Sequence, residues 1–319
     1  MDKYYDKAIH IMDEVNKVVI GKRDIIGKVL TAILARGHIL LEDHPGVGKT
    51  TLALAFSKAM ALEYHRLQFT PDVLPTDVVG FHLLNRDGES SQYKPGAIMC
   101  NLFLADEINR TSSKTQAALL EVMEEGKVTV DSVTREVPKP FLVIATQNPI
   151  GSIGTQMLPE SQLDRFMIRL TMGYPDINSE ILILKQRQSM NPLDTVSTIA
   201  CKEDIIRMQN LVDEIFVHDS IYEYITLLVG QTRENPLIDL GVSPRGSLAL
   251  MNMAKATAFL NRRDYVIPSD VQSVFKDVTA HRIILMPKAR VNNITIEELL
   301  DDILHIVKPP RLINRKHRA

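Results

Sequence analysis

The chain has 319 residues, of which 45% are hydrophobic and 24% are charged, and its formal net charge is −2 at pH 7. This length exceeds the usual size of a single hydrophobic core, so we expect two domains. The balanced composition excludes a disordered or fibrous protein and carries no overall sign of nucleic-acid binding.

The two cysteines, Cys100 and Cys201, lie far apart in the sequence. They form neither a disulfide framework nor a familiar zinc-site pattern. The first residues lack the apolar core of a signal peptide, and charges interrupt every run that approaches the roughly 20 apolar residues needed to cross a bilayer. We therefore predict a cytoplasmic protein without a membrane span. The basic tail after residue 307 is of a kind that is more often solvated than used for binding.

The chain opens with two helical patterns. Apolar residues recur every three or four positions from Ile9 to Val19, which predicts an amphipathic helix ending near Gly21. A second helix is predicted at residues 24–35. Short apolar or β-rich runs then predict strands at residues 38–41, 65–69, 102–105, 141–146 and 167–172. Helical patterns lie between several of these strands, which is typical of a parallel α/β sheet.

The clearest helical pattern lies at residues 111–125, with hydroxyl residues at its start and Gly126 after its end. Two insertions of alternating character predict β-hairpins at about residues 81–98 and 127–137. After residue 175 the pattern changes to helices alone, at residues 180–188, 202–217, 220–232, 244–260 and 269–285. We therefore predict an α/β domain at residues 1–175 and a helical domain at residues 176–319.

A glycine-rich segment, PGVGKT at residues 45–50, separates the first predicted strand from a helix. Backbone N–H groups of such a turn bind phosphate, Lys49 can add charge at the β- and γ-phosphates, and Thr50 can ligate Mg²⁺. The generic motif has glycine at position 43, where this chain has Asp43. The alternative is an ordinary strand-to-helix turn with an exposed lysine. The predicted nucleotide contacts here are Asp43, His44, Pro45, Gly46, Val47, Gly48, Lys49, Thr50 and Thr51.

Two adjacent carboxylates, Asp106 and Glu107, follow the strand predicted at residues 102–105. Like charges repel, so a cation beside them is favourable. Asp106 is the predicted Mg²⁺ ligand, directly or through water, and Glu107 the group that polarises the attacking water. The alternative is a strand that ends in a solvated acidic turn. The preceding phosphate loop and strand favour the metal-binding interpretation.

Three further polar residues lie at or near the ends of predicted elements. Asn148 can hold the attacking water or the γ-phosphate, or form an ordinary Asn-Pro turn. Arg165 can reach the γ-phosphate of a neighbouring subunit, although arginine there is more often a surface or ion-pair residue. Arg245 follows Ser243 and Pro244 in the first turn of a predicted helix, where a cation opposes the helix dipole by about 0.3–1 kcal/mol. A nearby phosphate would offset this cost, which exposed arginines also tolerate.

These segments together resemble the MoxR family of AAA+ ATPases. The resemblance covers nearly the whole chain and is carried by EDHPGVGKT, FTPDVLPTDVVG, ADEINRTSSKTQAALLEVMEE, IATQNPIGSIGTQMLPESQLDRF and GVSPRGSLAL. It implies an α/β P-loop NTPase fold, with an αβα core around a five-stranded parallel sheet of order 5-1-4-3-2 and a C-terminal all-helical lid. It also implies that ATP is held between the core, the lid and a neighbouring subunit.

The resemblance further implies roles for individual residues. Asp43 matches a variation seen within the family, and Val19, Ile20 and Gly21 are expected to border the adenine base. Arg110 and Arg135 are alternatives to Arg165 as the arginine finger. The remaining matches are Lys49 and Thr50 to the Walker A pair, Asp106 and Glu107 to Walker B, Asn148 to sensor 1, Arg165 to the arginine finger and Arg245 to sensor 2.

The implied activity is Mg²⁺-dependent ATP hydrolysis by a homo-oligomer, a hexameric ring, that remodels or matures partner protein complexes, including proteins with von Willebrand factor A domains. Phe81, Leu83, Leu84 and Tyr93 of the first hairpin region are candidates for touching a client protein, with packing inside the ring as the default. The alternatives are a nucleotide-gated binding module without obligatory turnover, a P-loop phosphotransferase, a magnesium-chelatase-like subunit and a nucleic-acid motor.

Overall fold

The computed structural model describes residues 2–84, 91–148, 158–188 and 191–310. The helices in this part of the chain are α1 (Asp2–Asn16), α2 (Arg23–Leu34), α3 (Lys49–Ala59), α4 (Pro75–Val79), α5 (Ser113–Glu125), α6 (Glu160–Leu163), α7 (Ile177–Arg187), α8 (Lys202–Asp213), α9 (Asp219–Glu234), α10 (Pro244–Leu260), α11 (Pro268–Thr279), α12 (Pro287–Val291) and α13 (Ile296–Ile306). The strands are β1 (Ile39–Glu42), β2 (Tyr64–Gln68), β3 (Gly80–Leu84), β4 (Ser91–Pro95), β5 (Leu102–Asp106), β6 (Lys127–Val130), β7 (Val133–Glu136), β8 (Leu142–Gln147), β9 (Ile168–Leu170), β10 (Ile238–Leu240) and β11 (Ile284–Leu285).

The main sheet has five parallel strands in the order β2-β5-β8-β1-β9. If these five strands are numbered 1 to 5 in chain order, the sheet read from β9 has the order 5-1-4-3-2. The predicted strand order is confirmed. Every residue of β5 and β8 is buried, as expected for central strands covered on both faces. Because neighbouring strands are parallel, the carboxyl ends of β1, β5 and β8 meet at one edge of the sheet.

The first helix ends earlier than the sequence predicts. It stops at Asn16 rather than near Gly21, and its buried stripe consists of Ala8, Ile11 and Val15. Ile9, which the predicted stripe included, lies beside that stripe and is only partly buried. The spacing of the buried residues follows the 3.6-residue turn of an α-helix more closely than the predicted set does.

Both predicted β-hairpins are present, as the antiparallel pairs β3–β4 and β6–β7. They contact each other: the guanidinium of Arg135 lies 3.9 Å from the ring centroid of Tyr93, and its Nη2 lies 3.1 Å from Nε2 of His82. Phe81 and Leu83 are exposed, whereas the side chain of Leu84 and residues 85–90 lie outside the described residues. Arg135, an alternative arginine finger, is thus engaged within its own chain.

The chain divides into two compact units, Met1–Gln209 and Asn210–Ala319, a later division than the predicted one after residue 175. The cause is a set of contacts that bind the segment after β9 to the first unit. The backbone N–H of Ile199 donates to the carbonyl of Ala59 (2.8 Å), and Gln209 Nε2 donates to the carbonyl of Ile33 (2.8 Å).

The second unit is built mainly of helices packed around buried apolar residues such as Leu250 and Phe275. Helix α10 spans the predicted residues, with Ser243 as its cap and Pro244 in its first turn. The strands β10 and β11 form a short antiparallel pair that the helical prediction did not include. The described part of the basic tail ends at residue 310. In the described ranges, no helix combines the length and the apolar character required for a membrane span.

His38 is buried where β1, β8 and α5 meet. Its Nδ1 accepts a hydrogen bond from the backbone N–H of Val143 (3.0 Å), so Nε2 is left to donate to the carbonyl of Met123 (2.9 Å). Burial lowers the pKa of His38 to about 4, although the bond to Met123 acts in the opposite direction. The folded chain therefore holds a neutral imidazole at this junction.

Acid is expected to destabilise the fold through this residue. The unfolded chain takes up the His38 proton near pH 6.5 and the folded chain only near pH 4. The unfolding free energy therefore falls as the pH drops through this window, by up to ~3 kcal/mol. Urea unfolding at pH 7 and pH 4.5 checks this in wild type and His38→Gln, with the exposed His305→Gln as control. Equal acid losses in wild type and His38→Gln would contradict it.

Candidate nucleotide-binding site

Residues 43–48 form the loop between β1 and α3. Gly46 and Gly48 have φ angles of +90° and +99°, a region that residues with a Cβ rarely adopt. A Cβ placed on Gly46 would meet no atom within 4 Å, so the loop is open on that side. Gly48 is the N-cap of α3 and provides no side-chain cap, which leaves the first N–H groups of the helix available. The loop therefore has the backbone features of an anion site.

Lys49 begins α3, and its side chain folds back over the loop. Its Nζ donates to the carbonyl of Asp43 (2.5 Å) and approaches that of His44 (3.4 Å). Burial lowers the pKa of Lys49, and the carboxylates of Asp43, Asp106 and Glu107 act in the opposite direction. The ammonium group is therefore held at the carbonyls of the loop, within the electrostatic influence of the acidic pair.

Asp43, which replaces the motif glycine, ties the loop to the chain beyond β9. One carboxylate oxygen accepts from the N–H of His44 (2.8 Å) and the other from the N–H of Gly173 (2.6 Å). Only 4% of this residue is exposed. The sequence shows that Asp43 departs from the generic motif. No pattern near Gly173 indicates that it is the hydrogen-bond partner of Asp43.

Removing this carboxylate is expected to weaken the site. Asp43→Ala leaves two backbone N–H groups without their acceptor, so we expect a loss of roughly 1–3 kcal/mol of stability and weaker nucleotide binding. Asp43→Asn keeps a carbonyl acceptor and should lose less. Thermal unfolding and titration with a fluorescent ADP analogue measure both effects, with the exposed Asp72→Ala as control. Wild-type stability and affinity in Asp43→Ala would contradict this role.

Asp106 is the last residue of β5 and is held from both neighbouring strands. Its Oδ1 accepts from the hydroxyl of Thr146 on β8 (2.6 Å). Its Oδ2 accepts from Arg66 on β2, through Nη2 (2.6 Å) and Nε (3.1 Å). The carboxylate is therefore fixed at the carboxyl edge of the sheet, beside the loop that follows β1.

Glu107 lies in the left-handed region, with φ 58° and ψ 46°. Its carboxylate accepts from Asn148 Nδ2 (3.0 Å) and from Arg110 Nη1 (2.9 Å), one at each oxygen. Burial raises the pKa of Glu107, but the hydrogen bonds from Arg110 and Asn148 outweigh it and lower the pKa overall. The structure thus brings the predicted base into direct contact with Asn148, and it engages Arg110 in the same cluster.

The side chains near the loop decide which kind of Mg²⁺ site is possible. Within the described ranges, no group of three or more His, Cys, Asp or Glu side chains could hold a metal ion. Mg²⁺ in nucleotide sites is commonly bound by one or two protein oxygens together with phosphate oxygens and water. The hydroxyl of Thr50 and the carboxylate of Asp106 fit that mode. The residues therefore suit a metal shared with a nucleotide and do not form an all-protein metal cage.

A cavity of about 430 Å³ adjoins the loop within the first unit, a size typical of small-molecule sites. Val19 and Ile20, predicted beside the base, lie on its wall, whereas Gly21 packs against Ser179. Sequence reasoning missed Tyr174 and the α7 residues of this wall. The lining residues are Val18, Val19, Ile20, Lys22, Pro45, Gly46, Val47, Gly48, Thr51, Tyr174, Pro175, Glu180, Ile183, Leu184, Gln186, Asn191, Pro192 and Leu193.

Two arginines, Arg165 and Arg245, are predicted to act between subunits and from the lid. Arg165 Nη1 donates to the carbonyl of Leu120 (2.6 Å) and pairs with Glu124 (2.7 Å), both on α5. Within one chain it is therefore an ion-pair residue. Arg245 lies in the second unit, in the first turn of α10 directly after Pro244.

Comparison with known proteins places this site in a family. The model of the ATPase family associated with various cellular activities (AAA) matches residues 38–168, and that of the AAA lid domain matches residues 230–303. The chain is 49% identical to YeaC of Bacillus subtilis (strain 168), over 94% of this chain and 93% of the relative. It is 36% identical to the chaperone MoxR1 of Mycobacterium tuberculosis, over 94% of this chain and 81% of the relative.

A solved structure agrees with this relationship. The crystal structure of a proposed ATPase from Cytophaga hutchinsonii ATCC 33406 has a TM-score of 0.89 and 39% identity, covering 97% of this chain and 96% of that one. The chain is also 31% identical to the protein MoxR of Methylorubrum extorquens, over 88% of this chain and 89% of the relative. From this identity over nearly the whole length, we conclude that the protein belongs to the MoxR family of AAA+ ATPases.

Proposed function

We propose that this chain binds ATP with Mg²⁺ at the loop of residues 43–51 and hydrolyses it to ADP and phosphate. The observation that carries the proposal is the convergence of Lys49, Asp106, Glu107 and Asn148 at one edge of the sheet, beside a glycine loop open to an anion. Membership of an ATPase family supports the same activity.

Each residue then has a role that its surroundings allow. The N–H groups of the loop and the ammonium of Lys49 bind the phosphates. Thr50 and Asp106 would hold Mg²⁺, which when bound supplies positive charge to the phosphate oxygens. Glu107, ionised at neutral pH because hydrogen bonds lower its pKa, takes the proton of the attacking water, and Asn148 orients that water. Since both oxygens of Glu107 are held, one of these bonds must open as the water approaches.

We further propose that the active form is a homo-oligomeric ring, a hexamer, in the cytoplasm, in which Arg165 reaches the γ-phosphate of the adjacent subunit and Arg245 acts from the lid of the same subunit. Mixing Arg165→Ala with Glu107→Gln, each inactive alone, tests the shared site. An Arg165→Ala subunit beside a Glu107→Gln subunit keeps its own Glu107 and receives that neighbour's Arg165, so the mixture should regain turnover, and native mass spectrometry should detect mixed assemblies. The control is a mixture of Arg165→Ala with the double variant Glu107→Gln/Arg165→Ala, which supplies no arginine. Mixed assemblies that regain no turnover would contradict the shared site.

The proposed cellular role is chaperone-like remodelling of partner protein complexes, including proteins with von Willebrand factor A domains. It is supported by 36% identity to a protein named a chaperone. A Glu107→Gln variant loaded with ATP is expected to retain its client, which mass spectrometry of the purified complex identifies. Recovery of equal partners with Lys49→Met would contradict nucleotide-dependent client binding.

A nucleotide-gated binding module is the second candidate function. It is favoured by the two hydrogen bonds that hold both oxygens of Glu107, because a base held in this way does not bind water. The two functions differ in one result. If partner release is as fast in Glu107→Gln as in wild type, occupancy rather than turnover controls binding.

A further inference from the structure

The hydroxyl of Thr146 contacts both acidic residues of the site through one oxygen atom. It donates to Asp106 Oδ1 (2.6 Å) and accepts from the backbone N–H of Glu107 (2.8 Å). Thr146 lies on β8 and has no exposed surface. A hydroxyl has one proton to donate, and here that proton is committed to the carboxylate, which leaves a lone pair for the N–H group.

These two bonds act on different parts of the acidic pair. The bond to Asp106 fixes the plane of a carboxylate whose other oxygen is held by Arg66. The bond to Glu107 holds a residue whose backbone is in the left-handed region, a conformation that persists only where its surroundings enforce it. One atom thus sets the orientation of Asp106 and the direction in which the Glu107 side chain leaves the strand.

The position of Thr146 along the strand links it to Asn148. Asn148 directly follows β8, two residues after Thr146, and both residues act on Glu107. Asn148 binds the carboxylate of Glu107 (3.0 Å), whereas Thr146 binds its backbone. Asn109 in turn donates from Nδ2 to the carbonyl of Asn148 (3.2 Å). The end of β8 and the residue that follows it therefore hold Glu107 at its backbone and at its carboxylate.

We propose that Thr146 is a positioning residue of the hydrolytic site, which orients Asp106 toward the metal and Glu107 toward the water; this rests on the proposed ATPase function. Valine has nearly the shape of threonine but neither donates nor accepts a hydrogen bond. Thr146→Val therefore leaves the two acidic residues in place while releasing their orientation. Serine restores the hydroxyl.

A merely structural role would also make Thr146→Val unstable, so a matched buried threonine is needed. Thr232 in the second unit has no exposed surface. Its hydroxyl donates to the carbonyl of Val229 (2.6 Å) and accepts from the N–H of Val242 (3.0 Å). Thr232→Val therefore removes one donated and one accepted hydrogen bond outside the proposed site, the donated one being to a neutral carbonyl rather than to a carboxylate.

The test compares the full chain as wild type, Thr146→Val, Thr146→Ser and Thr232→Val. The first readout needs no turnover: the affinity for a fluorescent ADP analogue is measured with Mg²⁺ and with EDTA, and the ratio gives the contribution of the metal. The second readout is kcat and KM for ATP hydrolysis. The third is the urea midpoint, which reports stability alone.

We expect Thr146→Val to lose about 10- to 100-fold in kcat and in the Mg²⁺-dependent gain of ADP affinity, the usual effect of removing a partner of a metal ligand. Thr146→Ser should restore both. Thr232→Val should lose comparable stability but keep the wild-type Mg²⁺ ratio. If Thr146→Val does not fold, Thr146→Cys, whose thiol is a weak donor, is held to the same criteria.

Equal Mg²⁺ ratios in the Thr146 and Thr232 variants would overturn the proposal, as would a Thr146→Ser variant no better than valine. Failure of the ATPase proposal is separable from this result. A wild type that binds ADP with Mg²⁺ but never releases phosphate refutes hydrolysis, whereas the ratio of affinities still decides the role of Thr146.

Discussion

Replacing Glu107 with glutamine is expected to lower kcat for ATP hydrolysis by about 10²- to 10⁴-fold, the usual contribution of a general base, with little change in nucleotide affinity. The amide has the shape of the carboxylate but cannot take a proton from water. Its carbonyl still accepts one of the two hydrogen bonds that Asn148 and Arg110 now donate to the carboxylate. The variant should therefore fold and bind ATP without cleaving it.

Phosphate release and binding of a fluorescent ATP analogue, measured on the same preparation, separate these effects. The control is Glu121→Gln, because Glu121 is an exposed carboxylate on α5. The dependence of kcat on pH gives a further check, because the direction of the change can be predicted. Because the pKa of Glu107 is lowered, wild-type kcat should stay level through neutral pH and fall only as acid protonates this carboxylate. Wild-type turnover by Glu107→Gln would remove the residue from the mechanism.

Replacing Lys49 with methionine is expected to weaken binding of ATP by about 10- to 100-fold, since a hydrogen bond to a charged group contributes ~1.5–3 kcal/mol. The ammonium is buried at the loop carbonyls and interacts electrostatically with the acidic pair. Its removal also ends the cost of burying a charge, so stability should not fall with affinity.

Equilibrium titration with a fluorescent ATP analogue measures the affinity, and thermal unfolding without nucleotide measures the stability. Lys114→Met, at an exposed lysine in the first turn of α5, is the control. If Lys49→Met binds ATP as tightly as wild type does, the loop of residues 43–51 is not the phosphate site.

Much of the core could be predicted because its signals are local. The buried strands β5 and β8 each begin with a run of four apolar residues, and α10 has a hydroxyl cap followed by proline. The order of the strands came from the family resemblance, because periodicity does not state which strands are neighbours. Strands as short as β10 and β11 are below the length at which alternation can be recognised.

The start of helix α13 is marked in the sequence, although the predicted helices did not include it. Thr295 caps this helix by accepting from the N–H of Glu298 (3.2 Å), and the Glu298 carboxylate accepts from the N–H of Thr295 (2.9 Å). This threonine and glutamate, three residues apart, form the capping box that marks a helix start in a sequence. An apolar stripe containing Leu299 and Ile303 follows it.

The residues of the site also separate into those that local sequence patterns predict and those that they do not. Lys49, Asp106, Glu107 and Asn148 stand at positions where a motif or a strand end predicts chemistry. Their supporting partners do not: Arg66 and Thr146 each lie 40 residues from Asp106 in the sequence and reach it only across adjacent strands. Such contacts arise from the register of the sheet, which no local pattern encodes. The roles of Arg165 and Arg245 stay predictions, since they depend on a neighbouring subunit and on the lid.

The most direct measurement of the central claim is a crystal structure of Glu107→Gln grown with ATP and Mg²⁺. We expect the β- and γ-phosphates to lie in the loop of residues 43–51, within hydrogen-bond distance of Lys49 Nζ. The metal should be ligated by Thr50, with Asp106 bound to it directly or through water. Triphosphate bound elsewhere, or phosphates in the loop with Asp106 remote from the metal and the substituted side chain at position 107 remote from the γ-phosphate, would contradict a single hydrolytic site at this edge of the sheet.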